Sequence, residues 1–390
     1  MKYVKFLVIL VLCARWAGIA SAQSDVKPAV PSYLITNDDL PPKVPTSGTF
    51  YALGSDGTPQ TPTRVSLGGV GSGGGYFAAN RVSVLRSSTA ACAYLSLGGS
   101  GEISAIDLRT LQNIGNFPAA AGDTGIDNGI GMVNNGSYLY ASYSTSSIIA
   151  TFVVQPGCGL QFLSDISPLG KHQGSVKGMA VHGNIMVATY GDGSIESFDI
   201  SAGAPVSHGD LQDASGFNTD RYPSGVDITQ DGHYAVFGDI ATNTTIEVSD
   251  ISSGKLTRTA LYNVGVASNS NNVYLSPDES LLYVTNTGTG QVSAEFFDKT
   301  TGKVSHGCTS KQLRGFDDSF IFISGLATQS NSGTGSTLYV AEFGSTSAIA
   351  RLKITSTPGA CSLAETAGSP IADTDSVFLL SIGVYPPRKF

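Results

Sequence analysis

Five residues carry side chains that could act on a carbonyl compound. Lys177 and Arg221 are cations that would polarise its oxygen, and His172, Asp239 and Glu342 are bases that would activate water or move a proton. They share no local spacing, so only a fold that returns distant loops to one face would make them a site. The plainer role for each is a solvated or acid-paired side chain, and His172 stands in a glycine-rich loop. No Gly-x-Ser-x-Gly elbow occurs, and His182, His208, His233 and His306 fall at expected turns or outer strands without a triad arrangement. The run LGGVGSGGG at residues 67–75 has the glycines of a phosphate loop. It lacks the Lys-Ser/Thr ending and the strand-to-helix context, and reads as a flexible link.

The elements that would position these groups form a repeat. Residues 271–308, NNVYLSPDESLLYVTNTGTGQVSAEFFDKTTGKVSHGC, predict four short strands joined by tight turns, with no helix. Such a sheet cannot bury both faces alone and must stack on copies of itself. Turns matching Asp278-Glu279 recur at Ser87-Ser88, Asn135-Gly136, His182-Gly183 and Asp231-Gly232, at intervals of 47 to 49 residues, and a further copy turns near Gly335. Each is followed by a β-rich second strand, over residues 92–96, 138–142, 185–189, 234–237, 281–285 and 338–341. A period near 50 with four strands apiece predicts propeller blades. Six blades are complete, and the two ends supply a seventh. Ser32-Tyr33-Leu34-Ile35-Thr36-Asn37 resembles Leu282-Tyr283-Val284-Thr285-Asn286, residues 49–53 and 64–67 give two more strands, and residues 377–382 give the missing first one. The expected fold is all-β, a seven-bladed β-propeller with four antiparallel strands per blade, closed by strands from both termini so that no inner edge is exposed.

Lys2 and Lys5 before an apolar run, and Ala20-Ser21-Ala22 ahead of Gln23, predict a secretory signal over residues 1–22, a linker over 23–31 and one propeller domain over 32–390. The protein is then expected to be secreted or periplasmic. Removing the signal takes the formal charge from −8 to −11, which argues against nucleic acid or an anionic membrane as partner. No second apolar segment approaches spanning length. Cys92, Cys158, Cys308 and Cys361 remain, an even count that favours disulfides over metal ligation; 92 with 158 and 308 with 361 would each join neighbouring repeats, although spacing alone does not decide connectivity.

Tyr283-Val284-Thr285-Asn286, with Ser276-Pro277-Asp278 before it, resembles the YVTN repeats of the lactonase-like seven-bladed propeller superfamily, and the resemblance covers essentially the whole mature chain. The chain as a whole resembles a group of secreted bacterial members. Enzymes of that superfamily, among them phosphogluconolactonases and carboxymuconate cyclases, imply cationic and acid–base side chains around the central opening. Gln230-Asp231-Gly232 keeps the family's turn and Asp239 matches its acid, while the histidines at the strand entrance are replaced by Arg221-Tyr222-Pro223. In a propeller the loops entering each first strand share a face with those joining strands two and three. The first set offers Asp127, Asn128, His172, Lys177, Arg221, Tyr222, Asn271, Asp317 and Asp318; the second offers Asp38, Asp39, Tyr143, Tyr190, Asp192, Asp239 and Glu342. The expected function is a binding or scaffold module acting through its central face on a small anionic ligand or a protein partner. The alternative is a lactonase-type hydrolase or a muconate cycloisomerase-like enzyme acting on a small anionic lactone. No cofactor or resident metal is expected. Acids converging from several blades could instead hold a divalent cation such as Ca²⁺, and the plainer reading makes those acids turn formers.

Overall fold

The computed structural model describes residues 30–74, 80–120, 129–168, 176–191, 193–209, 223–239, 245–263, 270–316, 322–328, 337–343, 347–373, 376, 379 and 381–388. Seven sheets of antiparallel strands make one propeller. Blade one runs Val82–Arg86, Ala91–Leu97, Glu102–Asp107, Gln112–Pro118, and blade two Ile130–Asn134, Tyr138–Tyr143, Ile148–Val154, Leu160–Ile166. Blade three is Val176–His182, Ile185–Tyr190, Ile195–Asp199 and a two-residue outer strand, Val206–Ser207. Blade four is Pro223–Ile228, Tyr234–Asp239, Thr245–Asp250, Thr257–Asn263, and blade five Ser270–Leu275, Leu281–Asn286, Gln291–Asp298, Lys303–Thr309. Blade six is Phe322–Thr328, Thr337–Phe343, Ala348–Thr357, Ala360–Glu365, with Ile371–Ala372 added beside its third strand. Blade seven joins Ile382–Tyr385 from the end of the chain to Tyr33–Asn37, Pro45–Leu53 and Pro59–Val70 from its beginning. The Gly335 turn lies outside the described residues, as does the expected signal.

Strand alternation builds the core. Side chains of period two point to opposite faces, so Leu281 and Tyr283 enter a cluster shared with blade six while Leu282 and Val284 enter one shared with blade four. Seven such clusters join consecutive blades around the ring. Disulfides Cys92–Cys158 and Cys308–Cys361 fasten blade one to two and blade five to six.

Three expectations are corrected. The closing strand is Ile382–Tyr385, paired with Tyr33–Thr36, and does not span residues 377–382. First strands converge near the axis, where a small residue is needed: a Cβ on Gly383 would meet Val84 and Val82 at 2.7 and 2.8 Å. Leu379 from the apolar run is instead buried between blades six and seven. The resemblance of Tyr33–Asn37 to the second strand of blade five slips by one residue. Ile35 packs towards the next blade, blade one, whereas its counterpart Val284 packs towards the preceding blade four. Lastly, residues 67–74 are a packed connection. Its first four residues complete a strand, and the backbone at Gly71 passes so close to Leu40 that a Cβ there would lie 2.4 Å from the Leu40 carbonyl oxygen.

Candidate functional site

First strands of the blades surround a central cavity of about 190 Å³. That is below the ~300–1,000 Å³ of drug-sized pockets and restricts an enclosed occupant to a small molecule. Amides and hydroxyls of Asn80, Asn134, Asn272, Ser83, Thr328 and Ser381 are interleaved in its wall with Val, Met and Ala side chains. The Asn134 amide donates to Ser83 Oγ at 2.8 Å and to the Val84 carbonyl at 3.1 Å, tying blade two to blade one. The Asn80 amide reaches the Met179 carbonyl of blade three at 3.4 Å.

The cavity has two unlike ends. At the end carrying the turns between first and second strands, Pro387 and Arg388 follow the closing strand and form part of the wall. Arg388 is buried, and its two terminal nitrogens donate to the Asp227 carboxylate at 2.8 and 2.7 Å. The loops of the other face enter the first strands. Lys177 stands there, one residue before the wall residue Gly178, half-buried, with its pKa drawn down by burial.

The candidate residues are distributed as follows. His172 and Arg221 lie outside the described residues, as do Asp127, Asn128, Asp192, Tyr222, Asp317 and Asp318. Asp239 is the buried last residue of the second strand of blade four, paired with Pro223. Asn271 accepts a hydrogen bond from Ser224 Oγ at 2.6 Å. Tyr190 donates to the Glu196 carboxylate at 2.7 Å, and Tyr143 is part of the core between blades one and two. Asp38 accepts from Ser47 Oγ at 2.5 Å and Thr49 Oγ1 at 2.8 Å; burial pushes its carboxyl up to about 6. Asp39 pairs with the buried Arg81. Among the described residues no group of three or more His, Cys, Asp or Glu side chains is placed to hold a metal ion.

Glu342 lies away from the cavity wall. It is the last but one residue of the second strand of blade six, beneath Gly315, where an added Cβ would collide with its carboxylate, and neither of its oxygens has a hydrogen-bond partner among the described residues. Burial, with Glu365 nearby and Arg314 offsetting part of the effect, pushes its carboxyl up to about 8. At neutral pH it is therefore protonated, an acid rather than a base. The unfolded chain releases this proton near the ordinary 4.5 and the folded chain near 8. Folding is unpenalised below about 4.5, and stability falls by about 1.4 kcal/mol per unit as pH rises between the two values. Glu342→Gln is expected to match the wild-type melting temperature near pH 5 and exceed it at pH 8. A difference that stays constant from pH 5 to 8 would contradict this.

Sequence reasoning missed Asp227, Tyr274 and Arg388. A signal was present for two of the three: for Asp227 an acid inside the apolar first strand of blade four, and for Arg388 a Pro-Pro-Arg sequence just beyond the strand that closes the ring.

The fold and the cavity define a disulfide-fastened propeller with a small central chamber whose wall includes Pro387 and Arg388 from the C-terminal segment. The chain belongs to the family described as Lactonase, 7-bladed beta-propeller, whose model matches residues 92–369. No curated protein sequence matches it. Its fold is similar to that of a proposed 6-phosphogluconolactonase from Bacteroides uniformis (13% identity, TM-score 0.66, covering 91% of this chain and 100% of that one). It is also similar to the periplasmic gluconolactonase of Pseudomonas aeruginosa (14%, TM-score 0.64, 90% and 99%) and to a functionally unknown protein from Desulfotomaculum acetoxidans (13%, TM-score 0.63, 90% and 98%). Among the described residues no helix is long and apolar enough to cross a membrane, and the two disulfides are compatible with an extracellular location.

Proposed function

We propose that the chain binds a small lactone-type ring in the central chamber, admitted from the face of the entry loops. One observation carries this reading. Among the described residues of the wall the charged ones, Asp227 and Arg388, satisfy each other, and the other polar groups there are neutral amide, hydroxyl and backbone. Such a wall suits a neutral hydrogen-bonding ring better than a free anion; an anionic substituent would be met at the mouth, by Lys177. Family membership and the gluconolactonase neighbours support the choice of ligand class.

Hydrolysis of the bound ring is the second reading, favoured by the position of Lys177. A cation at the mouth would polarise the ring carbonyl while water attacks it, and the ring oxygen would leave as an alcohol once protonated. Titration calorimetry with galactono-1,4-lactone separates the two readings from failure. Binding is expected for the wild type and is expected to weaken about tenfold in Lys177→Met, the worth of one charge-assisted hydrogen bond. Base uptake in a pH-stat would add turnover. Neither heat nor base uptake with any of a panel of sugar lactones would overturn the proposal.

A further inference from the structure

We propose that the turn-side end of the channel is a guanidinium receptor, occupied by the chain's own Arg388, which makes the C-terminal segment a plug. This stands apart from the identity of any ligand in the chamber.

The receptor is built without help from its occupant. Asp227 accepts the backbone N–H of Ile228 at 2.9 Å and that of Leu275, on the first strand of blade five, at 2.8 Å. Those two bonds fix both carboxylate oxygens on rigid strands, facing one point. The carbonyl of Leu275 lies 2.7 Å from one terminal nitrogen of Arg388 and that of Ile228 lies 3.3 Å from the other. Together with the two Asp227 oxygens they provide one acceptor for each of the four N–H bonds on those nitrogens. The Tyr274 ring adds an aromatic face 5.2 Å from the guanidinium carbon. A planar fork matches this arrangement; an ammonium group, with three tetrahedral donors, cannot make both parallel bonds. Pro386 and Pro387 stiffen the approach and lower the entropy lost when the arm docks. Pro387 and Arg388 also line the chamber, so the docked arm forms part of its wall at that end.

Chemical rescue of full-length Arg388→Ala tests the receptor. The variant is expected to melt below the wild type, and millimolar ethylguanidinium is expected to raise its melting temperature by roughly 2 °C through occupancy of the vacant site. Ethylammonium at the same concentration should leave it unchanged. The wild type should respond to neither, and rescue should vanish in Asp227→Asn/Arg388→Ala. Equal responses to the two cations, or equal responses of wild type and variant, would overturn the proposal. Should Arg388→Ala not fold alone, its refolding yield becomes the readout: a higher yield with ethylguanidinium than with ethylammonium supports the receptor, and equal yields reject it.

Discussion

A chain ending at Ser376, without its last 14 residues, is expected to lose cooperative folding. The deletion removes the inner strand that pairs with Tyr33–Thr36 and leaves that edge open. It also removes Leu379, Ile382 and Val384 from the core between blades six and seven, and Tyr385 from the core between blades seven and one. At about 1.5–3 kcal/mol per large apolar side chain, these four are comparable with the ~5–15 kcal/mol that holds a domain together. The loss of Arg388 would leave Asp227 without its counter-charge. Thermal unfolding followed by circular dichroism is expected to lose its sigmoidal transition, and size exclusion to show oligomers formed through the bared edge. Retention of the full-length melting curve would mean that the ring closes by other means.

The second large effect is expected at the opposite end of the channel. Arg81 opens blade one and is buried against Asp39 from the loop between the second and third strands of blade seven. Asp39 also accepts the backbone N–H of Ser72 at 2.7 Å and its hydroxyl, while Arg81 donates to the Gly74 carbonyl at 2.6 Å. Burial draws Arg81 down to about 9, which still leaves it a cation at neutral pH. Arg81→Met would strand a buried carboxylate and is expected to cost about 3–5 kcal/mol in urea unfolding; replacing both partners by apolar residues should recover much of that loss. A single variant within about 0.5 kcal/mol of wild type would show that the network is dispensable. Its effect should extend to the chamber, because Arg81 follows the wall residue Asn80 and its guanidinium packs on the backbone at Gly129, just ahead of blade two.

Much of the fold is legible residue by residue. The strand period, the turns at 47- to 49-residue intervals and the terminal closure are local or repeated signals, and repetition averages out the ambiguity of any one copy. Second-strand bounds came within two residues at each end of those observed, because a short apolar run between turn formers has few alternative registers. Spacing alone left the disulfide pairing open; in the structure both bonds join neighbouring blades, across 66 and 53 residues. Register was less legible. Tyr33–Asn37 was matched to the second strand of blade five one residue out of step, an error that composition cannot reveal because both faces of a blade are apolar.

By itself, then, the sequence determined the class of fold, the number of blades and the closure from both ends, since these depend on hydrophobic period and turn chemistry within about 50 residues. Only the tertiary structure decided what the centre is made of. Asp227 and Arg388 stand 161 residues apart and meet only because the ring closes, and Glu342 turned out to lie beneath Gly315, away from the channel. The physical reason is common to both: a charged side chain's role depends on which carbonyls, carboxylates and glycines surround it, and in a propeller those neighbours come from other blades.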